Sequence, residues 1–227
     1  MKNLKNKKVA LFGDSIMFGS GNGGFGVGEY LEKDLGVKIL KYCVGGARTG
    51  YYEGKNWLIM QVRQAISENI KPDYIVFNGF TNDCYRTDGI NFDVPLGEIS
   101  VGFENFNIMN LSTENTDFSN CFETLLSTFK TYFPSAKALF VRPHKMGRRE
   151  EEAQKIYGDR AAALCKKWGV SSADIYTESG LDTFKPEHRD LYTNDSYGWG
   201  KGDSTHPNAT GYEKFYMPII ERKLEEL

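Results

Sequence analysis

Short apolar runs alternate with longer stretches of helical period along nearly the whole chain, and this alternation restricts the fold more than any other feature of the sequence. It is the pattern of βαβ units, in which each strand feeds a helix that packs back over a parallel sheet. Strands are expected at residues 8–12, 37–44, 73–78, 138–142 and 170–175, and helices at 24–35, 57–69, 117–132, 150–168 and 208–227. The first, third and fourth strands are almost continuously apolar, as a sheet covered on both faces requires. In the second helix Leu58, Val62, Ala65, Ile66 and Ile70 keep helical spacing and so form one apolar face. Gly36, Pro72, Pro134 and Gly169 punctuate the helix-to-strand junctions. The rhythm describes one α/β domain over residues 1–227, long enough to bury a continuous core. Two stretches break it. Residues 84–116 lack a clear period and exceed an ordinary connection, so they are expected to form a lid or pocket wall; residues 178–202 are similar and rich in Tyr, Asp and Gly.

Composition narrows the partners. With 40% apolar and 26% charged residues the chain matches an ordinary globular protein, which argues against disorder, collagen and coiled coil. The net charge is −2, and the only basic block is the stretch from Lys2 to Lys8, so no nucleic-acid footprint is expected. The apolar run 9–12 is too short for a secretion signal, and no stretch approaches a membrane span, so no membrane partner is expected. Cys43, Cys84, Cys121 and Cys165 lie far apart without a CxxC pair, which fits reduced thiols in a cytoplasmic protein better than zinc ligands or a disulfide framework.

In open parallel sheets ligands bind at the carboxyl ends of the strands. After the first strand comes Gly13-Asp14-Ser15, whose serine projects from a turn where a nucleophile would stand, although Asp and Ser also simply cap helices. After the second comes Val44-Gly45-Gly46-Ala47, whose glycines let backbone N–H groups approach a ligand or merely form a turn. After the third, Asn82 can donate a hydrogen bond into the same cleft, as an oxyanion donor does. Before the last helix, Asp203 stands three residues ahead of His206, a spacing that lets the carboxylate fix the ring's tautomer.

These blocks, at residues 9–20, 37–50, 73–84 and 200–212, resemble those of the SGNH hydrolases, also called the GDSL esterase family. The resemblance implies a three-layer α/β/α sandwich around a flavodoxin-like five-stranded parallel sheet. It also implies Ser15 as nucleophile, His206 as general base and Asp203 as its orienter, with oxyanion donors from the Ser15 and Gly46 backbone N–H groups and the Asn82 side chain. One departure stands out: where the family usually has Gly two residues before Asn, this chain has Phe80. Asp14 and Asp83 match the blocks too, and are read as structural hydrogen-bonding residues around the turns.

The expected activity is therefore serine-dependent hydrolysis of short-chain carboxylic esters, most simply removal of acetyl from a carbohydrate or similar polar alcohol, with no cofactor and no metal. Phe80 is expected to limit the acyl side, and Tyr52, Tyr85 and Trp199 to offer the alcohol an aromatic, polar wall. A longer-chain lipase or lysophospholipase of the same family, and a non-catalytic carbohydrate-binding domain, are the alternatives. A dinucleotide site is disfavoured: the G-x-G-x-x-G matches begin at Gly19 and Gly21, too far beyond the first strand, and residues 19–28 read better as a flexible loop bordering the acyl pocket. A two-metal phosphoesterase needs more imidazole ligands than His144, His188 and His206 supply. His144, just after the fourth strand, is read as a wall residue.

Overall fold

Every residue of β1 (Lys8–Phe12) after the first is buried, and all of β3 (Tyr74–Phe77) is. A computed structural model describes residues 4–104, 106–114 and 116–227 of the chain; Lys2 of the basic stretch lies outside them. With β2 (Lys38–Lys41), β4 (Lys137–Arg142) and β5 (Ser171–Asp174) these strands form one parallel sheet in the order β2-β1-β3-β4-β5. The apolar strands take the centre and the more polar Lys-Ile-Leu-Lys and Ser-Ser-Ala-Asp sequences the edges.

Side chains alternate across the sheet and build a core on each face. Ala10, Phe12, Ile75, Phe77 and Phe140 point towards α3 (Leu58–Ser67), α4 (Phe118–Tyr132) and α5 (Glu151–Trp168), meeting Val62, Phe122, Phe129 and Leu164. Val9, Leu11, Val76, Leu139 and Val141 point the other way, towards α2 (Val27–Leu35) and the C-terminal helices. The result is the three-layer α/β/α sandwich. Each valine, leucine, isoleucine or phenylalanine among them, fully buried, contributes about 1.5–3 kcal/mol, so the sheet is anchored from both sides.

The remaining helices are short: α1 (Ser15–Phe18), α6 (Ile175–Glu178), α7 (Pro186–Tyr192) and α8 (Ala209–Gly211), before α9 (Met217–Glu226). α7 lies in the stretch 178–202 that shows no period, and none of its residues is buried, so it leaves no apolar stripe to read; Pro186 at its start is its one sequence signal. The expected helix 208–227 is interrupted by a π turn over Tyr212–Tyr216. Pro218 has no N–H to extend the regular ladder, and the Met217 N–H instead reaches back five residues to the Tyr212 carbonyl. That turn buries both Tyr212 and Tyr216.

β1 has neighbours on both sides whose connecting helices lie on opposite faces, so the crevice at its carboxyl end opens between the Ser15 turn and the loops after β2 and β3. The described residues of 84–116 pack chiefly as a cover over the α3–α5 face: Val94 and Ile108 are buried there, and Asp93 pairs with the buried Arg48 at 3.0 Å. No helix among the described residues is long and apolar enough to cross a membrane. All four cysteines are free and buried.

Candidate active site

The turn after β1 is fixed from two sides. Gln61 on α3 accepts from the Gly13 N–H and donates to its carbonyl, both at 2.8 Å, while Asn78 at the end of β3 accepts from the Asp14 N–H at 3.1 Å and donates to the Asp14 carboxylate at 3.0 Å. Gly13 is at φ 147°, and a Cβ there would lie 2.1 Å from the Asn78 amide oxygen, so only glycine fits. Asp14 caps α1 by accepting from the Ile16 N–H at 2.8 Å. Ser15, the first residue of α1, is thereby held with its hydroxyl aimed out of the turn.

Its partner comes from the other end of the chain. The Ser15 Oγ lies 2.9 Å from His206 Nε2, and His206 Nδ1 lies 2.6 Å from Asp203 Oδ2. The other Asp203 oxygen accepts from the Thr205 and His206 N–H groups at 2.9 and 2.8 Å. Burial works against ionisation of Asp203, but these hydrogen bonds, the His206 ring's first, outweigh it and hold the carboxyl at about 2. An ionised carboxylate only accepts, so Nδ1 carries a proton, and in the neutral ring that tautomer leaves the Nε2 lone pair facing the serine. Gly21 lets the loop after α1 close on this turn: a Cβ on it would meet the His206 backbone oxygen at 2.8 Å.

Around these residues lies a cleft of about 310 Å³, lined by Ser15, Ser20, Gly46, Asn82, Tyr85, Arg148, Arg149, Tyr197, Thr205 and His206. Among the described residues the Ser15 and Gly46 N–H groups donate to no protein acceptor. One hydrogen of the Asn82 Nδ2 goes to the Ala47 carbonyl at 3.0 Å, leaving the other for a ligand. Asp83 underpins this side by accepting from the Thr49 and Gly50 N–H groups at 3.1 and 2.8 Å. Burial pushes its carboxyl up to about 7 despite those bonds. The arrangement places a hydroxyl hydrogen-bonded to an imidazole and three potential N–H donors along one cleft, a set of groups of the kind that acyl transfer uses.

The structure thus brings Ser15, Asp203, His206, Gly46 and Asn82 together, with Tyr85 beside them. Trp199 stands at the rim, stacked at 4.5 Å on the Tyr197 that lines the cleft. Tyr52 lies apart, its ring 4.3 Å from the Arg48 guanidinium. The expectation for Phe80 needs correction: its ring is 1% exposed and belongs to the core on the α3–α5 face, so it does not narrow the acyl side. Its backbone keeps φ 157°, a conformation suited to the glycine usual there, and this rotates the side chain inward. The loop 19–28 is pinned, with Lys41 donating to the Phe18 and Gly24 carbonyls at 2.8 and 2.9 Å, and only Ser20 reaches the cleft. Apart from Tyr85, no described residue of 84–116 lines it. His144 is buried with its Nδ1 2.7 Å from the Tyr216 hydroxyl, and burial pushes it down to about 3. Among the described residues no three His, Cys, Asp or Glu side chains gather as metal ligands would. The sequence reading missed Arg148 and Arg149, six and seven residues beyond β4, where position after a strand end was the available signal.

Solved structures of similar fold run the length of the chain. A protein from Lactobacillus plantarum shares 23% identity at a TM-score of 0.71, covering 98% of this chain and 96% of its own. A lipase/acylhydrolase from Enterococcus faecalis shares 16% at 0.59, covering 97% and 96%. An acetyl xylan esterase from Geobacillus stearothermophilus shares 16% at 0.57, covering 100% and 96%. No curated protein matches the sequence. The family model described as GDSL-like lipase/acylhydrolase matches residues 11–214, from within β1 to beyond His206. With that match covering most of the chain and reaching into all four motif blocks, the chain belongs to the GDSL-like lipase/acylhydrolase family.

Proposed function

We propose that the chain is a serine esterase that removes a short acyl group, acetyl foremost, from a carbohydrate or similarly polar alcohol. The observation that carries this reading is the continuous relay from Ser15 Oγ through the His206 ring to Asp203, at 2.9 and 2.6 Å, opening on the cleft. Ser15 Oγ attacks the ester carbonyl while His206 Nε2 takes its proton, and the oxygen that gains the negative charge is met by the Ser15 and Gly46 N–H groups and the Asn82 amide. Collapse breaks the bond to the alcohol, which leaves with the proton from His206. Water then attacks the acyl-enzyme by the same route and frees the carboxylic acid.

Two features support a short acyl group and a polar alcohol. Among the described residues no aliphatic side chain lines the cleft, and its tyrosines, Tyr85 and Tyr197, combine an apolar face with a polar tip. A larger depression of about 870 Å³, lined in part by Val44, Trp57, Met60 and Met109, shares no residue with it. The longer-chain reading requires that groove to open into the cleft. The test is the reaction with 4-nitrophenyl acetate and with paraoxon, a phosphate triester that traps nucleophilic serines. Release of nitrophenol, and a diethylphosphoryl mass increment on the peptide carrying Ser15, are expected. Labelling elsewhere, or none together with no hydrolysis, overturns the reading.

A further inference from the structure

Two guanidinium groups line the cleft beside Ser15 and His206, and neither meets a carboxylate. Arg149 is 7% exposed. Its Nε donates to the Thr81 carbonyl at 3.0 Å, Nη1 reaches the Arg148 carbonyl at 3.5 Å, and its carbon lies 3.8 Å from the centre of the Tyr85 ring. All three partners are neutral. Arg148 is exposed and packs on aromatic faces, 4.2 Å from the centre of Tyr197 and 5.3 Å from that of Trp199. Among the described residues neither arginine forms an ion pair, and no acidic side chain lines the cleft.

The other buried arginines are treated differently. Arg48 meets Asp93 at 3.0 Å, and Arg142 meets Asp159 at 3.0 Å and Asp174 at 3.7 Å. A buried cation is ordinarily paired because leaving water without a counter-charge is costly. A guanidinium has five N–H donors, and two carbonyls leave most of the Arg149 fork unused. Its nitrogens are also absent from the buried groups that lack any partner, so part of that fork reaches the open cleft. The chain withholds a carboxylate at the one buried arginine that borders the nucleophile.

We infer that Arg149 and Arg148 form an anion subsite beside Ser15, and that the alcohol released from the ester carries a carboxylate or phosphate group. This rests on the esterase reading. An acetyl group has no ionisable atom, so the charge must sit on the alcohol. Its anion would lie in the planar fork of Arg149, which suits the paired oxygens of a carboxylate or phosphate, while Arg148 on its Tyr197–Trp199 platform closes the outer side.

The test compares kcat/KM for 4-acetoxybenzoate, 4-acetoxyphenyl phosphate and the uncharged methyl 4-acetoxybenzoate. A charged ester is expected to be preferred by about tenfold or more, and the better of the two identifies the anion. The carboxylate withdraws electrons less than its methyl ester, so the chemistry of the leaving phenol works against the expected order. Arg148→Gln and Arg149→Lys are each expected to lower the charged-to-uncharged ratio, the lysine because it keeps the charge but loses the fork. Added salt should lower the ratio in the native protein, which carries the test if an Arg149 variant does not fold. A ratio at or below one, or a ratio unmoved by both substitutions and by salt, overturns the inference while leaving the esterase reading intact. Failure to hydrolyse all three esters, with Ser15 inert to paraoxon, overturns both.

Discussion

Two histidines feel the charge of Asp203, one on the cleft side and one on the core side, and only the first is wired to it. His206 touches the carboxylate at 2.6 Å and keeps its outer nitrogen on Ser15, with its side chain 15% exposed. His144 is fully buried, bonded to the neutral Tyr216 hydroxyl, and desolvation holds it at about 3 although Asp203 pulls the other way. Nearness to the candidate site therefore does not by itself equip a histidine to act as a base. A histidine needs a contacting anion to steady its charged form and an open side from which to exchange the proton.

The widest separation between the two regions should appear in turnover. His206→Ala and Ser15→Ala are each expected to lower kcat/KM on an acetyl ester by about 10⁴ or more, because the proposed mechanism has them act as one unit. His144→Gln should change it little. A comparable loss in the His144 variant, measured on protein shown to be folded by circular dichroism, would make the core side part of the chemistry and erase the distinction.

Next in size is the oxyanion side. Asn82→Ala removes one of the three proposed donors, and kcat is expected to fall by about 10²–10³ with KM nearly constant, since the proposed bond strengthens only as charge develops on the oxygen. A rise in KM at constant kcat would instead assign Asn82 to ground-state binding.

How far these roles were legible in the sequence depends on whether they are local. The sheet was legible because buried parallel strands are written as apolar runs, and the motif residues because each follows a strand end or precedes the last helix. Distances in space were not. Nothing in the sequence pairs Gln61 with Gly13 or His144 with Tyr216, residues far apart in the chain that meet only after the layers pack. Phe80 misled for a related reason: its place beside Asn82 pointed to the cleft, and its backbone conformation turned the ring into the core. The Arg148–Arg149 pair carries no pattern of its own and gains meaning only from the carboxylates it lacks.

Acyl-chain preference sharpens the contrast between the polar cleft and the dry core beneath it. Activity is expected to fall from acetyl to butyryl 4-nitrophenyl esters by about tenfold or more, because added methylenes find no apolar wall in the cleft. Phe80→Leu should leave that profile unchanged, since the ring is in the core. A profile that broadens in this variant, or a native preference that rises to octanoyl, would return Phe80 or the apolar groove to the acyl site.

The smallest effect concerns stability in acid. Folded His144 stays neutral down to about 3, whereas in the unfolded chain it takes a proton near 6.5, so between these values the unfolded state binds one more proton. The stability gained from a neutral His144 is complete above 6.5 and is lost as the pH falls towards 3. A glutamine side chain takes up no such proton, so the stability difference between the native protein and His144→Gln should shift against the native protein by about 1.4 kcal/mol per pH unit below 6.5. Asp83 acts with the opposite sign: burial raises its carboxyl from 3.8 to about 7, so in that window the folded chain holds the extra proton and acid favours folding. Both proteins contain Asp83, and its contribution cancels in the difference. Urea unfolding at pH 7, 6 and 5 measures it. A difference that stays constant over that range would mean that His144 titrates as freely folded as unfolded, and that the core side of Asp203 is as open to protons as the cleft.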